Sequence, residues 1–273
     1  MIHSVIPPAP HLKTFVKDYL LLHFVFDSNA PPPVKPFPAN TQHSLVFYLR
    51  GGITAFDSKT GTSKTFAKTA INGSQVSRFD FHLSPHYLMF AVNFQPGALA
   101  KFLRLPLTEF IDERIDAETV LPQINRLHER MANSTSYEGI VQIVEEYIGQ
   151  RIRNLNADFY PIDKVMRVIT EKPVDFEIKR MAGLSCLSVS QFERRFMQQT
   201  GITPKLYARI NRFYHAYQIK DREPDSSWLS VAIQAGYHDY QHLVKDFRQF
   251  SNTLPQALIE AQAAAPERLL GIG

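Results

Sequence analysis

Two stretches constrain this chain more than any other feature: "FERRFMQQTGITP" (Phe192–Pro204) and "LVKDFRQFSNTLP" (Leu243–Pro255). In both, an apolar residue is followed by a phenylalanine four positions on and a proline eight after that: Phe192, Phe196, Pro204 and Leu243, Phe247, Pro255. Apolar residues at i and i+4 share one helix face, and proline suits the first position of the next helix. Upstream of each pair stands an alanine, with a turn residue four later: Ala182 and Cys186, then Ala232 and Gly236. Alanine lets two helices approach closely, and glycine in the turn escapes the left-handed penalty. A short helix, a tight turn and a second helix crossing the first make a helix-turn-helix. The spacing therefore predicts two such units joined by one long helix from Thr203-Pro204 to about Asp221, with Thr203 as its cap. Ser188 is the expected cap of the second helix in the first unit, aided by Gln191 at its third position, and Asp239 stands near the start of its counterpart.

Charge is unevenly spread over this region. From Glu177 to Arg212 seven basic residues (Lys179, Arg180, Arg194, Arg195, Lys205, Arg209, Arg212) face two acidic ones, Glu177 and Glu193. From Asp221 to Glu260 three basic residues face six acidic ones. A local positive excess is what phosphate contact uses, whereas a solvated helix face is the plainer reading of charge alone.

With both units on the page, residues 160–262 resemble the DNA-binding domain of the AraC/XylS family of bacterial transcription regulators. The similar stretches are "MAGLSCLSVSQFERRFMQQTGITPKLY" (Met181–Tyr207) and "VAIQAGYHDYQHLVKDFRQF…P" (Val231–Pro255), with Ala232, Gly236-Tyr237, Asp239, His242 and Phe247 at the most recognisable positions. Cys186 stands where the family usually has glycine, Gln241 where it has serine, Leu243 where it has phenylalanine, and Asn252 where glycine is common. Asparagine tolerates positive φ next best, so Asn252 should keep the bend. The resemblance implies a sequence-specific regulator of promoter DNA, such as an activator, with RNA polymerase as a further partner. In a helix-turn-helix the second helix enters the major groove. The first unit would then present Val189, Ser190, Gln191, Arg194 and Arg195, and the second His238, Tyr240, Gln241, Lys245 and Arg248. Arginine can fork to guanine and glutamine to adenine. Because acids surround the second set (Asp239, Asp246 and "DREPD"), the first unit is expected to supply most of the affinity and base readout.

Residues 1–155 read differently. "HSLVFYLRGG" (His43–Gly52) and "HYLMFAVNFQPG" (His86–Gly97) are aromatic and β-branched runs stopped by Gly or Pro, hence strands. "ITAFDSKTGTSKTFAK" (Ile53–Lys68) reads as a hairpin. "PPAP" and "APPPVKPFP" read as loops or arms, since proline cannot donate within a central sheet. "GALAKFLRL" (Gly97–Leu105) and "LPLTEFIDERI" read as short helices, the latter capped by Thr108. "YEGIVQIVEEYIGQRI" (Tyr137–Ile152) has one apolar face, either packed on its own sheet or pairing two chains in a homodimer. The expected architecture is α+β in two domains. Residues 1–155 form a β-barrel or sandwich, cupin-like, with trailing helices, and residues 156–265 an all-α double helix-turn-helix, with the boundary in "NLNADFYP" (Asn154–Pro161).

A barrel mouth is a common ligand site, and the AraC/XylS resemblance implies a sensing domain for a small-molecule effector. His43, Arg50, Tyr48 and Tyr87 are the candidate contacts. No His-x-His with a nearby glutamate marks a metal cupin, so no metal or cofactor is expected; His23, His82 and His86 read as rim or core residues. Two other function classes stay open: a cupin-type metal enzyme fused to a DNA-targeting module, and a helix-turn-helix protein acting through protein contacts. Cys186, the single cysteine, excludes an internal disulfide and is expected as a small buried packing residue. The first residues have neither a basic start nor an apolar stretch of signal-peptide kind, no run suits a membrane span, and a soluble cytoplasmic protein is expected.

Overall fold

A computed structural model describes residues 1–27, 32–57, 59–66, 68–155, 159–269 and 271. The strands are β1 (Ile2–Ile6), β2 (Val16–Val25), β3 (Val34–Phe37), β4 (Ser44–Arg50), β5 (Ile53–Asp57), β6 (Ser63–Phe66), β7 (Thr69–Asn72), β8 (Phe79–Leu83), β9 (His86–Phe94) and β10 (Arg114–Asp116). They form two antiparallel sheets, a six-stranded one in the order β1-β2-β9-β4-β7-β10 and a four-stranded one in the order β3-β8-β5-β6. β5 and β6 are the expected hairpin. β3 corrects the reading of "APPPVKPFP" as a loop or arm. Pro36 lies in a strand, and is tolerated because β3 is an edge. Ala30 and Pro31 of that stretch lie outside the described residues.

Alternation along the central strands assigns each side chain to one of two cores. Leu45, Phe47, Phe90, Val92 and Phe94 face one way, Val46, Tyr48, Tyr87, Met89 and Ala91 the other. The second set meets Phe79, Phe81 and Leu83 of the smaller sheet. The first set packs under α1 (Ala98–Leu103), α2 (Ile124–Ala132) and α3 (Tyr137–Arg153). Because both faces of the large sheet are covered, its strands read as almost continuous apolar runs. The apolar stripe of α3 is spent here: Ile140, Val144 and Ile148 are buried in that core, and Glu145 accepts from the Ala9 N–H (2.7 Å) and the Tyr19 hydroxyl (3.3 Å). The packing reading of α3 therefore accounts for its stripe.

"LPLTEFIDERI" is not a helix capped by Thr108. Residues Thr108–Phe110 form one 3-10 turn entered from Leu107, Asp112 takes a positive φ of 54°, and Arg114 begins β10. Tertiary pairing with β7 overrides the local apolar spacing. Helix α2 goes unassigned in the sequence analysis, although Ile124, Leu127 and Met131 share one buried face.

The remaining helices are α4 (Pro161–Glu171), α5 (Ile178–Leu184), α6 (Val189–Thr200), α7 (Pro204–Arg222), α8 (Trp228–Gln234), α9 (Tyr240–Ser251), α10 (Pro255–Ala263) and a last turn, α11 (Pro266–Leu269). They share a core that includes Phe192, Phe196, Phe213, Phe247 and Phe250. The expected caps are present. The Ser188 side chain accepts from the Gln191 N–H with the reciprocal bond in place, Thr203 caps α7 and Asp239 caps α9. Ala182 and Ala232 are fully buried. Gly236 takes φ +75°, and a Cβ there would come within 2.4 Å of Val174. Asn252 takes φ 53°, as its bend requires. Cys186 also takes a positive φ, 54°, but its side chain is exposed rather than a buried packing residue. The turn points it outward. No helix among the described residues is long and apolar enough to cross a membrane.

Candidate nucleic-acid interface and inter-sheet cavity

In the first unit α5 and α6 cross over Ala182, and Phe192 and Phe196 hold α6 inward. This leaves Ser190, Gln191, Arg194 and Arg195 exposed on the opposite face and Val189 half-buried. Arg194 and Arg195 make no ion pair or hydrogen bond among the described residues. Gln191 is partly occupied, since its Oε1 accepts from the Ser188 N–H and hydroxyl, both at 3.1 Å. In the second unit His238, Tyr240, Gln241, Lys245 and Arg248 are all exposed on or just before α9. The structure thus brings each expected set to one helix face.

Four charged residues of this region are engaged within the fold. Asp246 is 3% exposed and accepts from Arg209, Arg212 (3.4 Å) and the Tyr237 hydroxyl (3.1 Å). Arg212 also lies 4.3 Å over the Tyr237 ring. Arg209 and Arg212 therefore bind the second unit to the connecting helix instead of joining a free basic face. Asp246 in turn is no acid on the surface of α9. Asp239 is occupied as well, with His242 at 3.0 Å and its N–H donating to the same carboxylate, which holds the Asp239 carboxyl below the usual range. His238, Asp239 and His242 place one donor atom each within 4.8 Å of one another.

The C-terminal ends of both exposed helices are closed by the β-rich part of the chain. Helix ends leave carbonyls without intrahelical partners. At α6 the Leu107 N–H donates to the Gln198 carbonyl (2.9 Å) and the Ser74 hydroxyl to the Thr200 carbonyl (2.6 Å). At α9 the Ala39 N–H donates to the Phe250 carbonyl (2.9 Å) and Arg78 to the Ser251 carbonyl (3.4 Å). Gly201 fits only because it has no Cβ, which would come 2.6 Å from the Leu107 carbonyl.

His43, expected as a ligand contact, belongs to this junction. It is 2% exposed, and its Nε2 lies 3.1 Å from the Ser74 Oγ. Since the single hydroxyl hydrogen of Ser74 goes to Thr200, Nε2–H must donate to Ser74, leaving Nδ1 bare, and Nδ1 has no partner. Burial lowers the His43 pKa to about 4, only partly offset by the Thr200 backbone. The unfolded chain, titrating near 6.5, binds more protons than the folded one between these values. Stability contributed by neutral His43 is thus full above about pH 6.5 and is lost as pH falls towards 4. By pH 5 the loss should be about 2 kcal/mol, and His43→Gln should flatten the profile in urea melts from pH 7 to 5.

Between the sheets lies a cavity of about 130 Å³. Tyr48 and Tyr87 line it, with Leu22, Phe24 and Met89. Arg50 is exposed at the end of β4 and does not. Two cationic side chains line this cavity: Lys35, which is paired with Glu267 at 2.5 Å, and Arg114, 6% exposed, which the sequence analysis missed. Its segment had been read as a helix, so nothing aimed it inward. His23 and His86 do not line the cavity: they stack with their Nε2 atoms 3.3 Å apart, and His23 turns to the helix side of the sheet, where its Nδ1 lies 2.7 Å from the Tyr137 hydroxyl.

Residues 181–261 match the family described as a helix-turn-helix domain, and residues 4–116 one described as a domain of unknown function (DUF6597). A curated relative, the HTH-type transcriptional regulator MtrA of Neisseria gonorrhoeae, is 26% identical over 91 residues. That match spans 33% of this chain and 30% of the relative's length. Among solved structures, ToxT from Vibrio cholerae superposes over 89% of this chain and 98% of its own, with a TM-score of 0.48 and 11% identity. The AraC-like transcriptional activator CuxR covers 79% of this chain and 87% of its own, with a TM-score of 0.28 and 11% identity. Both structural likenesses are too loose to bear on what the chain binds.

Proposed function

We propose that this chain, whose C-terminal part is an AraC/XylS-type double helix-turn-helix, is a sequence-specific transcription regulator of promoter DNA, controlled by a small molecule held between its N-terminal sheets. Residues 1–155 act as the sensing domain and 156–265 as the DNA-binding domain, the stretch 156–158 at their boundary lying outside the described residues. The observation that carries the reading is α6: a capped helix, anchored by two buried phenylalanines, that turns to solvent two arginines without an ion pair among the described residues. Ser190 and Gln191 share its exposed N-terminal end, the part that meets base edges in a helix-turn-helix. The reading contains no catalytic step. Its place of action is the cytoplasm, and RNA polymerase is the partner that the bound regulator meets. A homodimer would have to use a surface other than the α3 stripe.

The test is selection of random duplex DNA by the full-length protein, with binding followed against salt. One strong sequence block with a weaker one about a helical turn away is expected; the absence of any enriched motif overturns the reading. Lys245→Ala should lower affinity evenly across sequences and reduce the salt slope by about 1. A change confined to one base position would instead make Lys245 a base reader.

A further inference from the structure

Arg114 stands directly opposite Asn72 in the β7–β10 ladder. Its guanidinium lies 4.4 Å from the centre of the Phe81 ring and 5.1 Å from that of Phe79. One hydrogen bond is made, from Nη2 to the Gln75 Oε1 at 3.1 Å. Among the described residues no carboxylate comes within ion-pair distance of it. The neighbouring acids are engaged elsewhere: Asp112 accepts from the Val76 and Ser77 N–H groups, and Glu113 faces Lys64 at 3.3 Å. Nor do the tyrosines supply an anion. Burial pushes the Tyr48 phenol up to about 12 and that of Tyr87 well above its ordinary value, so both stay neutral. Burial lowers the Arg114 pKa too, but a guanidinium keeps its charge. A buried cation held by one amide oxygen and two ring faces, all neutral, gains further from an anion that joins it.

We propose that the inter-sheet cavity binds a small organic carboxylate no larger than benzoate, with Arg114 as its counter-ion. The inference rests on the regulator reading above and names the ligand class of that N-terminal site. Size follows from volume. A cavity of about 150 Å³ lined by apolar side chains takes benzene, and this one measures about 130 Å³. A flat or branched apolar body packs against Leu22, Phe24 and Met89, while the carboxylate takes the Arg114 fork.

Through Gln75 the same arginine is connected to both helix caps. Gln75 Nε2 donates to the Phe37 and Pro38 carbonyls, and the Gln75 backbone exchanges two hydrogen bonds with Asn40. Ala39, between those partners, caps α9, and Ser74, next to Gln75, caps α6. A carboxylate competing with Gln75 for Arg114 shifts the segments that hold both reading helices. A ligand moves such an equilibrium only through unequal affinity for its two states.

The test uses the full-length protein, titrated calorimetrically with benzoate, 3-methylbutanoate and benzamide. Benzoate is expected to bind at least about tenfold more tightly than benzamide, the loss of one charge-assisted bond. Arg114→Met should erase that difference. Ala91→Phe, which fills the cavity and keeps the arginine, should abolish binding of all three, with circular dichroism confirming the fold. Benzoate should change DNA affinity several-fold in the natural protein. No binding of either acid at millimolar concentration, or equal binding of benzoate and benzamide, overturns the ligand class. Benzoate binding with unaltered DNA affinity overturns the Gln75 route. An enriched DNA motif in a protein indifferent to carboxylates leaves the regulator reading standing, and selective carboxylate binding without any motif does the reverse.

Discussion

Replacing Arg194 and Arg195 together by alanine is expected to remove sequence-selective DNA binding from an otherwise intact protein. Both side chains are exposed on α6, and neither is tied to an acid or a carbonyl among the described residues. Their loss leaves the Phe192 and Phe196 anchors and the Ser188 cap in place, so stability should change by no more than about 0.5 kcal/mol. Each well-made base contact is worth about 1–3 kcal/mol of discrimination. Losing two should lower affinity for the selected motif about 100-fold or more, while affinity for scrambled DNA falls only modestly. Fluorescence anisotropy on both duplexes separates the terms. A double variant that still prefers the motif would move base readout away from α6.

Asp246→Ala is expected to have the largest effect on stability. Its carboxylate is the shared acceptor of Arg209, Arg212 and Tyr237, and it lies inside the second unit where that unit meets α7. Removing one partner of a buried pair typically costs about 3–5 kcal/mol, because the others are left without a counter-charge. For a domain of this size that lowers the thermal midpoint by roughly 10 °C or more. The double change Asp246→Leu with Arg209→Met should recover part of the loss, since an apolar replacement of the cluster removes the desolvation problem. A midpoint within about 2 °C of the natural protein for Asp246→Ala would show that the cluster contributes little.

Asp246 also shows where charge counting along the chain goes astray. Counted by position, it weakened α9 as a DNA-facing helix, and Arg209 and Arg212 strengthened the first unit. In space the three neutralise one another, so the contrast between the units narrows. Arg194, Arg195, Lys245 and Arg248 remain exposed, because each lies on the face away from the phenylalanine core. Helix periodicity could tell these apart, but it could not tell which arginine of α7 would reach an acid thirty-seven positions on.

The N-terminal part divides the same way. The hairpin Ile53–Phe66 and the runs that become β4 and β9 were legible because aromatic and β-branched residues between turn signals favour strands. Tyr48 and Tyr87 line the cavity. His43 does not, because period-two alternation is unbroken only within a strand, and His43 precedes β4. Arg114 was missed because "LPLTEFIDERI" carries a helical spacing that pairing with β7 overrides.

What the sequence determined by itself is local: the caps at Ser188, Thr203 and Asp239, the bends at Gly236 and Asn252, and the phenylalanine faces of α6 and α9. Each is decided by residues within about one or two helical turns, where spacing sets the contact. What only the tertiary structure decided is the cavity with its unpaired arginine and the closure of both reading helices by the sheet domain. Ser74 meets the Thr200 carbonyl across 126 positions, and Ala39 reaches Phe250 from the other end of the chain. Such contacts depend on how the whole chain packs, and no local pattern of residue types encodes them.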